Sequence, residues 1–309
     1  MDTNKKKLIT HDGSFHADDI FAAATLSLML EKRGESFEII RTRDPETINS
    51  GDYVFDVGGM YDEKTNRFDH HQMSFKEKRQ NGIGYSSFGL VWKKFGLDLA
   101  DSEKIAKIVE KHLVVPVDAF DNGINLVENK YDVSPYFIEH FFIAMRSTWV
   151  EKDINADRMF FKCVEIAKKV LSREIIQARD SVLAEEKIIS IYQNSKDKRI
   201  IILDENYPYG DILNNFSEPL FVIYPRTSDN FWGVKAVRDN PKTFKNRKNF
   251  PQNWAGLREE ELQKITTVAD AVFCHKGLFM AVAKTREGAI ALAQKALLES
   301  SQIEPKDSI

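Results

Sequence analysis

Cysteine is scarce: only Cys163 and Cys274 occur in 309 residues. Neither a disulfide framework nor a four-cysteine zinc site can be built within one such chain. Long apolar runs are missing as well. The most apolar stretch, residues 20–30, already contains Thr25 and Ser27, whereas a membrane span needs about 18 or more apolar residues in a row. The basic start, MDTNKKK, leads into neither an apolar signal core nor an Arg-rich presequence. Positive charge is not in excess: 44 Lys and Arg stand against 47 Asp and Glu, a formal net charge of -3. This argues against coating nucleic acid by bulk charge, while leaving room for a local basic patch. No repeat and no low-complexity segment is visible. Together these absences exclude membrane, secreted and disulfide-scaffold classes, and a cytoplasmic protein is expected. What is present is core material. The chain is 42% hydrophobic and 29% charged, enough for about two domains at ~150 residues each.

The N-terminal part alternates short apolar runs with helical patterns. Residues 8–10, 37–41 and 53–57 read as strands, and residues 18–31 as a helix. That rhythm predicts a parallel sheet with crossover helices, whose ligand sites lie beyond the carboxyl ends of the strands. Residues 155–193 contain neither Gly nor Pro. Met159, Cys163, Ile166 and Val170 mark one face of a long helix, or of two. From Arg199 a new rhythm begins, with strands expected at 200–203, 220–224, 232–237 and 279–283 and a final helix at 285–298. The expected architecture is α/β. A parallel-sheet domain covers 1–150, a helical linker 151–198, and a second α/β domain 199–309.

Four of the seven histidines fall in two short clusters. His11 and His16 lie in Thr10-His11-Asp12-Gly13-Ser14-Phe15-His16-Ala17-Asp18, between a strand and a helix. His70 and His71 lie in Arg67-Phe68-Asp69-His70-His71-Gln72. Between them Asp56 follows the apolar Tyr53-Val54-Phe55 and precedes Val57-Gly58-Gly59, a position suited to a ligand rather than to packing. Asp118 and Asp121 follow in Val117-Asp118-Ala119-Phe120-Asp121-Asn122-Gly123, three apart and on one face if helical. Imidazole and carboxylate without thiolate suit Mn²⁺, Mg²⁺, Fe²⁺ or Zn²⁺ rather than a structural zinc finger. The supply of ligands exceeds the needs of one ion. Two ions about 3.5–4 Å apart can clamp the attacking and leaving oxygens of a phosphoryl displacement.

The order of these clusters resembles the N-terminal motifs of the DHH phosphoesterase superfamily, and in its specific form the MYG1 family. The matching pieces include the His11 to Asp18 and Arg67 to Gln72 segments and Asp56-Val57-Gly58-Gly59 with Tyr61-Asp62. Val117 to Ile124, Trp254-Ala255-Gly256-Leu257-Arg258 and Thr285-Arg286-Glu287-Gly288-Ala289 match too. The resemblance covers essentially the whole chain. It implies a DHH-type fold and a dinuclear, Mn²⁺-type phosphoesterase with 3′→5′ RNA exonuclease activity. Two departures stand out. His16 takes the place of a carboxylate in the superfamily's usual first motif, and Phe279-Met280-Ala281-Val282 replaces the usual Phe-Ile-Gly-Gly.

The metal ligands expected are His11, His16, Asp18, Asp56, His70 and either Asp118 or Asp121. His71 is expected to contact the phosphate or assist proton transfer, and Asp69 to orient the adjacent imidazole. In the second domain, Lys235, Arg238, Lys242, Lys245, Arg247 and Lys248 stand against a single acid, Asp239. Phe231, Trp232, Phe244, Phe250 and Trp254 are interleaved or flanking. Such a stretch suits single-stranded RNA or an oligonucleotide, with cations for the backbone and rings for the bases. Arg226, Arg258 and His275 are further substrate-side expectations, the last two favoured by the resemblance. His112 and His140 read as structural, without acidic partners. The rival expectations are a small-molecule phosphatase or pyrophosphatase, and a non-catalytic nucleotide-binding protein; the oligomeric state stays open.

Overall fold

The computed structural model describes residues 5–151, 154–240 and 243–299. It is a mixed α/β structure that divides into two compact units, Met1–Arg179 and Asp180–Ile309. The division falls inside one long helix.

In the first unit, β1 (Lys6–Thr10) pairs in parallel with β2 (Phe37–Arg41) and β3 (Tyr53–Phe55). Between β1 and β2 runs α1 (Ala17–Arg33), and a short α2 (Pro45–Asn49) precedes β3. β4 (Tyr61–Asp62) is antiparallel to β5 (Arg67–Phe68), which joins β3 in parallel, giving the order β2-β1-β3-β5-β4. The expected parallel sheet is present. The third strand stops at Phe55 rather than Val57, because Asp56 turns into the left-handed region at φ 55°. That conformation is uncommon outside Gly but tolerated best by Asn and Asp.

Helix α1 explains itself locally. Ala22, Ala23, Ala24, Leu26, Met29 and Leu30 favour a helix and are fully buried or nearly so. Gly34, left-handed at φ 69°, ends it. Its first turn is capped from the side: Asp19 Oδ1 accepts from His16 N at 2.9 Å and Glu139 Oε2 from Ala17 N at 2.8 Å. α1 packs on α3 (Ser87–Ala100), with Phe21 stacked on Phe88 at 5.0 Å. α4 (Glu103–Val109), one wide π-helical turn (Glu110–Val114) and α5 (Val115–Asp121) follow, then α6 (Ile138–Ala144). Asp118 locks this helical layer. Its carboxylate takes Arg79 Nη1 at 2.7 Å, Gly89 N at 3.0 Å and the Ser86 hydroxyl. A Cβ on Gly89 would come within 2.0 Å of Asp118 Oδ2, so only glycine permits this approach.

α7 (Ala156–Asn194) is one continuous helix. The face buried in its first half is Phe160, Cys163, Val164, Ala167, Leu171, Ile175 and Ala178. This corrects the expected face of Met159, Cys163, Ile166 and Val170. Phe160 packs edge-on against Phe15 at 6.0 Å and beneath the Arg41 guanidinium at 4.6 Å, which turns the helix by about one residue. His112 is also corrected: it has an acidic partner, Glu174 Oε2 at 2.8 Å from Nδ1.

The second unit holds a sheet of order β6-β7-β8-β10-β9. Its members are β6 (Ile200–Ile202), β7 (Phe221–Pro225), β8 (Trp232–Ala236), β9 (Ala271–Cys274) and β10 (Met280–Ala283). Among the described residues, only the β6–β7 pair is parallel. Strand alternation divides the core. Phe221 and Ile223 join Leu262 of α9 (Glu259–Thr266) and Leu292 of α10 (Arg286–Leu298). Val222 and Tyr224 join Ile188 and Tyr192 of α7 and Leu213 of α8 (Gly210–Leu213). Among the described residues, no helix is long and apolar enough to cross a membrane.

Removing one partner of a buried charge pair leaves the other uncompensated, at about 3–5 kcal/mol. Arg79→Met should therefore lower unfolding free energy in urea by about that amount, and adding Asp118→Asn should recover part of it. A single mutant within about 1 kcal/mol of wild type would show that Asp118 is not held by this pair.

Candidate metal centre

Four separate stretches of chain meet at the carboxyl end of the first sheet. His11 follows β1, His16 and Asp18 open α1, Asp56 follows β3, and His70 and His71 follow β5. Asp121 closes α5. Their ligand atoms form three overlapping groups, each within 4.8 Å: His11, His16 and Asp56; Asp56, His70 and His71; and Asp18, His70 and Asp121. Asp56 belongs to two of them, as does His70.

Asp56 is the centre. Its Oδ2 lies 3.1 Å from His11 Nε2 and its Oδ1 3.5 Å from His70 Nε2 and 3.6 Å from His71 Nδ1. Ser87 Oγ, at the start of α3, donates to Oδ1 at 3.0 Å. Burial alone would raise this carboxyl; the His11 and His70 imidazoles set against it outweigh burial and hold the group far below the usual carboxylate range. Asp18, Asp19 and Asp121 go the opposite way. Burial first, then the charges of Asp56 and Asp121, push Asp18 well above its ordinary value. Burial and Asp56 bring Asp19 up to about 8. Asp121 is likewise raised by burial.

The imidazoles are oriented from behind. His11 Nδ1 bonds to the carbonyl of Asp12 at 2.8 Å, which aims Nε2 at Asp56 and at Asp19 Oδ2, 3.3 Å away. Asp69 accepts from Gly59 N at 2.6 Å and His71 N at 3.0 Å, and takes His71 Nδ1 at 2.8 Å. This bond is the main reason His71 rises to about 9. His71 is also the most open of the histidines measured against these acids, at 62% side-chain exposure. His16 is lowered, by burial and then by Arg146.

The site fits divalent cations. Both oxygens of Asp18, Oδ2 of Asp19 and Nε2 of His70 are buried without a hydrogen-bond partner among the described residues. Unpartnered buried carboxylate oxygens are costly, and a cation among them relieves both the desolvation and the mutual repulsion. Neutral imidazole and carboxylate donors suit Mn²⁺, Fe²⁺, Mg²⁺ or Zn²⁺.

The structure brings His11, His16, Asp18, Asp56, His70, His71 and Asp121 together, with Asp69 immediately behind. It does not bring Asp118, whose carboxylate is spent on Arg79, Ser86 and Gly89. Asp19, Ser87 and Glu139 were not anticipated from sequence. Asp19 was visible as the second acid of Asp18-Asp19, while Ser87 and Glu139 carry no local signal. In the second unit Arg226 is engaged bidentately by Asp229, at 2.8 and 3.0 Å. Arg258 lies over the Phe273 ring at 4.7 Å, and His275 Nδ1 accepts from Gly277 N at 2.9 Å. Lys245 faces Asp239 at 3.6 Å and Lys248 donates to the Glu299 carbonyl at 3.0 Å. Lys242 lies outside the described residues. Arg247 is tied to three main-chain carbonyls, of Asn214, Phe216 and Pro219, and Phe250 and Trp254 are core. Phe244 stays exposed, beneath the Arg238 guanidinium at 4.9 Å.

Protons and metal compete for the raised carboxyl of Asp18, so metal affinity falls as pH drops through that raised value. Mn²⁺ should therefore raise the Tm of chelator-treated protein more at pH 8 than at pH 6. An equal shift at both would mean that the cluster is not where the metal binds.

The profile of the MYG1 exonuclease family, described as an uncharacterised protein family (UPF0160), matches residues 7–297. The chain is 30% identical over 328 residues to the MYG1 exonuclease of Homo sapiens, covering 95% of this chain and 86% of that one. It is 29% identical over 331 residues to a MYG1 protein of Schizosaccharomyces pombe, covering 95% and 98%. A MYG1 protein of Chlamydia trachomatis is 32% identical over 289 residues, covering 90% and 92%. Among solved structures, RecJ from Thermus thermophilus in complex with Mn²⁺ is similar at 15% identity and a TM-score of 0.27, over 96% of this chain and 52% of that one. With a profile match spanning nearly its whole length, and relatives at 30% identity or more over nine-tenths of it, the chain belongs to the MYG1 family.

Proposed function

We propose that the protein is a metal-dependent phosphodiesterase that works as an exonuclease on RNA or short oligonucleotides, in the 3′→5′ direction, with two divalent ions of which Mn²⁺ is the first choice. The observation that carries this reading is the convergence of three ligand groups on Asp56 and His70, with buried acidic oxygens left unpartnered beside them. The nucleic-acid substrate is supported by relatives that are named exonucleases.

His11, His16, Asp18, Asp56, His70 and Asp121 would hold the ions. When bound, such ions polarise the phosphoryl oxygens and stabilise the attacking and leaving oxygens of an in-line displacement. The chain's own residues do the rest. Asp56 supplies the shared negative charge, fixed by Ser87 and by its turn out of β3. Asp69 keeps a proton on His71 Nδ1 and leaves Nε2 of that half-open ring for the substrate phosphate or the leaving oxygen. Asp118 acts at one remove, holding α5 in place so that Asp121 reaches His70 at 3.3 Å.

In the second unit, Lys242, Lys245 and Lys248 are assigned to the nucleic-acid backbone, with Arg226, Arg258 and His275 as further phosphate-side groups. Each cation that neutralises a phosphate steepens the salt dependence of single-strand binding by roughly 0.7. Changing the three lysines together to Ala should weaken oligonucleotide binding and flatten its salt slope, while hydrolysis of bis-p-nitrophenyl phosphate barely changes. Unchanged binding would return this stretch to a solvated loop and favour the small-molecule phosphatase reading.

Chelation should abolish hydrolysis of a 5′-labelled oligoribonucleotide, and Mn²⁺ should restore it with a ladder that shortens from the 3′ end. Asp56→Asn keeps shape and tolerates the left-handed backbone but removes the charge; activity should fall at least ~10²-fold, a magnitude typical of losing one electrostatic contributor. Full activity in excess chelator would exclude a metal mechanism, and an active Asn variant would remove Asp56 from its centre.

A further inference from the structure

Arg146 lies two residues beyond the end of α6. Its side chain is largely buried, at 23% exposure, and its Nη2 stands 3.7 Å from Glu139 Oε1. That separation is too long for a hydrogen bond. Among the described residues, Nε and Nη2 of Arg146 and Oε1 of Glu139 have no hydrogen-bond partner. The other oxygen of Glu139 accepts from Ala17 N, and Ala17 stands between His16 and Asp18 in the chain. The Arg146 guanidinium also sits 5.8 Å from the Phe15 ring centroid. It therefore lies against residues 15–17, the turn that presents two of the clustered ligands.

Other buried arginines of this unit are used differently. Arg41 bonds Asp157 at 2.6 Å and the Gly13 carbonyl at 2.7 Å. Arg79 bonds Glu110 at 2.7 Å and Asp118 at 2.7 Å. Each is anchored through its other nitrogens, although Arg41 Nε and Arg79 Nη2 are themselves without a partner among the described residues. Arg146 instead keeps its fork of donors unmade beside the cluster, with Glu139 as a distant counter-charge. A planar fork of donors matches two oxygens of one phosphate.

We propose that Arg146 is a substrate-binding residue of this site, taking the non-bridging oxygens of the phosphodiester, with Glu139 as its positioning residue. This rests on the phosphodiesterase reading above and adds to it a named phosphate ligand. The role needs Arg specifically, because Lys retains the charge but not the paired donors.

The test uses the full-length, Mn²⁺-loaded protein. Inorganic phosphate is titrated calorimetrically into wild type, Arg146→Met and Arg146→Lys, alongside Mn²⁺ titrations and hydrolysis of an oligoribonucleotide. The Lys variant keeps the charge opposite Glu139, so it guards against simple misfolding of the Met variant. The expected result is unchanged Mn²⁺ uptake, with phosphate affinity at least about tenfold weaker in Met and severalfold weaker in Lys, and KM rising accordingly. Phosphate affinity within about twofold of wild type in both variants would overturn the proposal and leave Arg146 as a counter-charge to Glu139. So would loss of Mn²⁺ uptake in both variants, since that describes support of the ligands. A wild type that takes up Mn²⁺ yet neither binds phosphate nor cleaves a phosphodiester would overturn the phosphodiesterase reading and this proposal with it. An active wild type with unaffected variants overturns this proposal alone.

Discussion

Asp18, Asp19, Asp56 and Asp121 bring four carboxyl groups together, the first three of them buried. Like charges at this range cannot all stay ionised without compensation. The protein resolves the conflict unevenly. Asp56 receives the imidazoles and Ser87 and is held ionised, while Asp18, Asp19 and Asp121 are driven upward. The arrangement is complete only when positive charge enters. That requirement explains why the strand ends, the first turn of α1 and the last turn of α5 must all converge on one point.

The surrounding packing is what holds them there. The small residues of α1 let α3 come close, and α3 in turn delivers Ser87 to Asp56 and Gly89 to Asp118. Arg79 neutralises Asp118 in the interior, which fixes α5 and so Asp121. Buried ion pairs of this kind add little net stability over apolar packing, but breaking one is costly. The lock therefore serves position more than stability.

Much of this was legible in the residues. A carboxylate after an apolar run and before two glycines pointed to Asp56 as a ligand position rather than a packing one, and the structure sets it among the histidines. The His11, His16 and Asp18 segment and the Asp69, His70 and His71 segment were readable by composition and order. The choice between Asp118 and Asp121 was not, since spacing on one helical face does not say which side chain a distant arginine will claim. Arg79 and Glu139 were silent for the same reason: each acts across more than twenty residues of sequence. The buried face of α7 was misplaced by one position because Phe160 answers to Phe15 and Arg41, not to its own helix. In the second unit, short apolar runs foretold the strands near 200, 221, 232 and 280. The fate of the basic stretch depended on tertiary partners, with Arg247 buried in carbonyls and Phe250 and Trp254 in the core.

The most direct measurement is anomalous diffraction from crystals grown with Mn²⁺. Two anomalous peaks about 3.5–4 Å apart, bridged by the carboxylate of Asp56, are the predicted result. A single peak that Asp56 does not touch, or no peak among these residues at full Mn²⁺ occupancy elsewhere, would contradict the account.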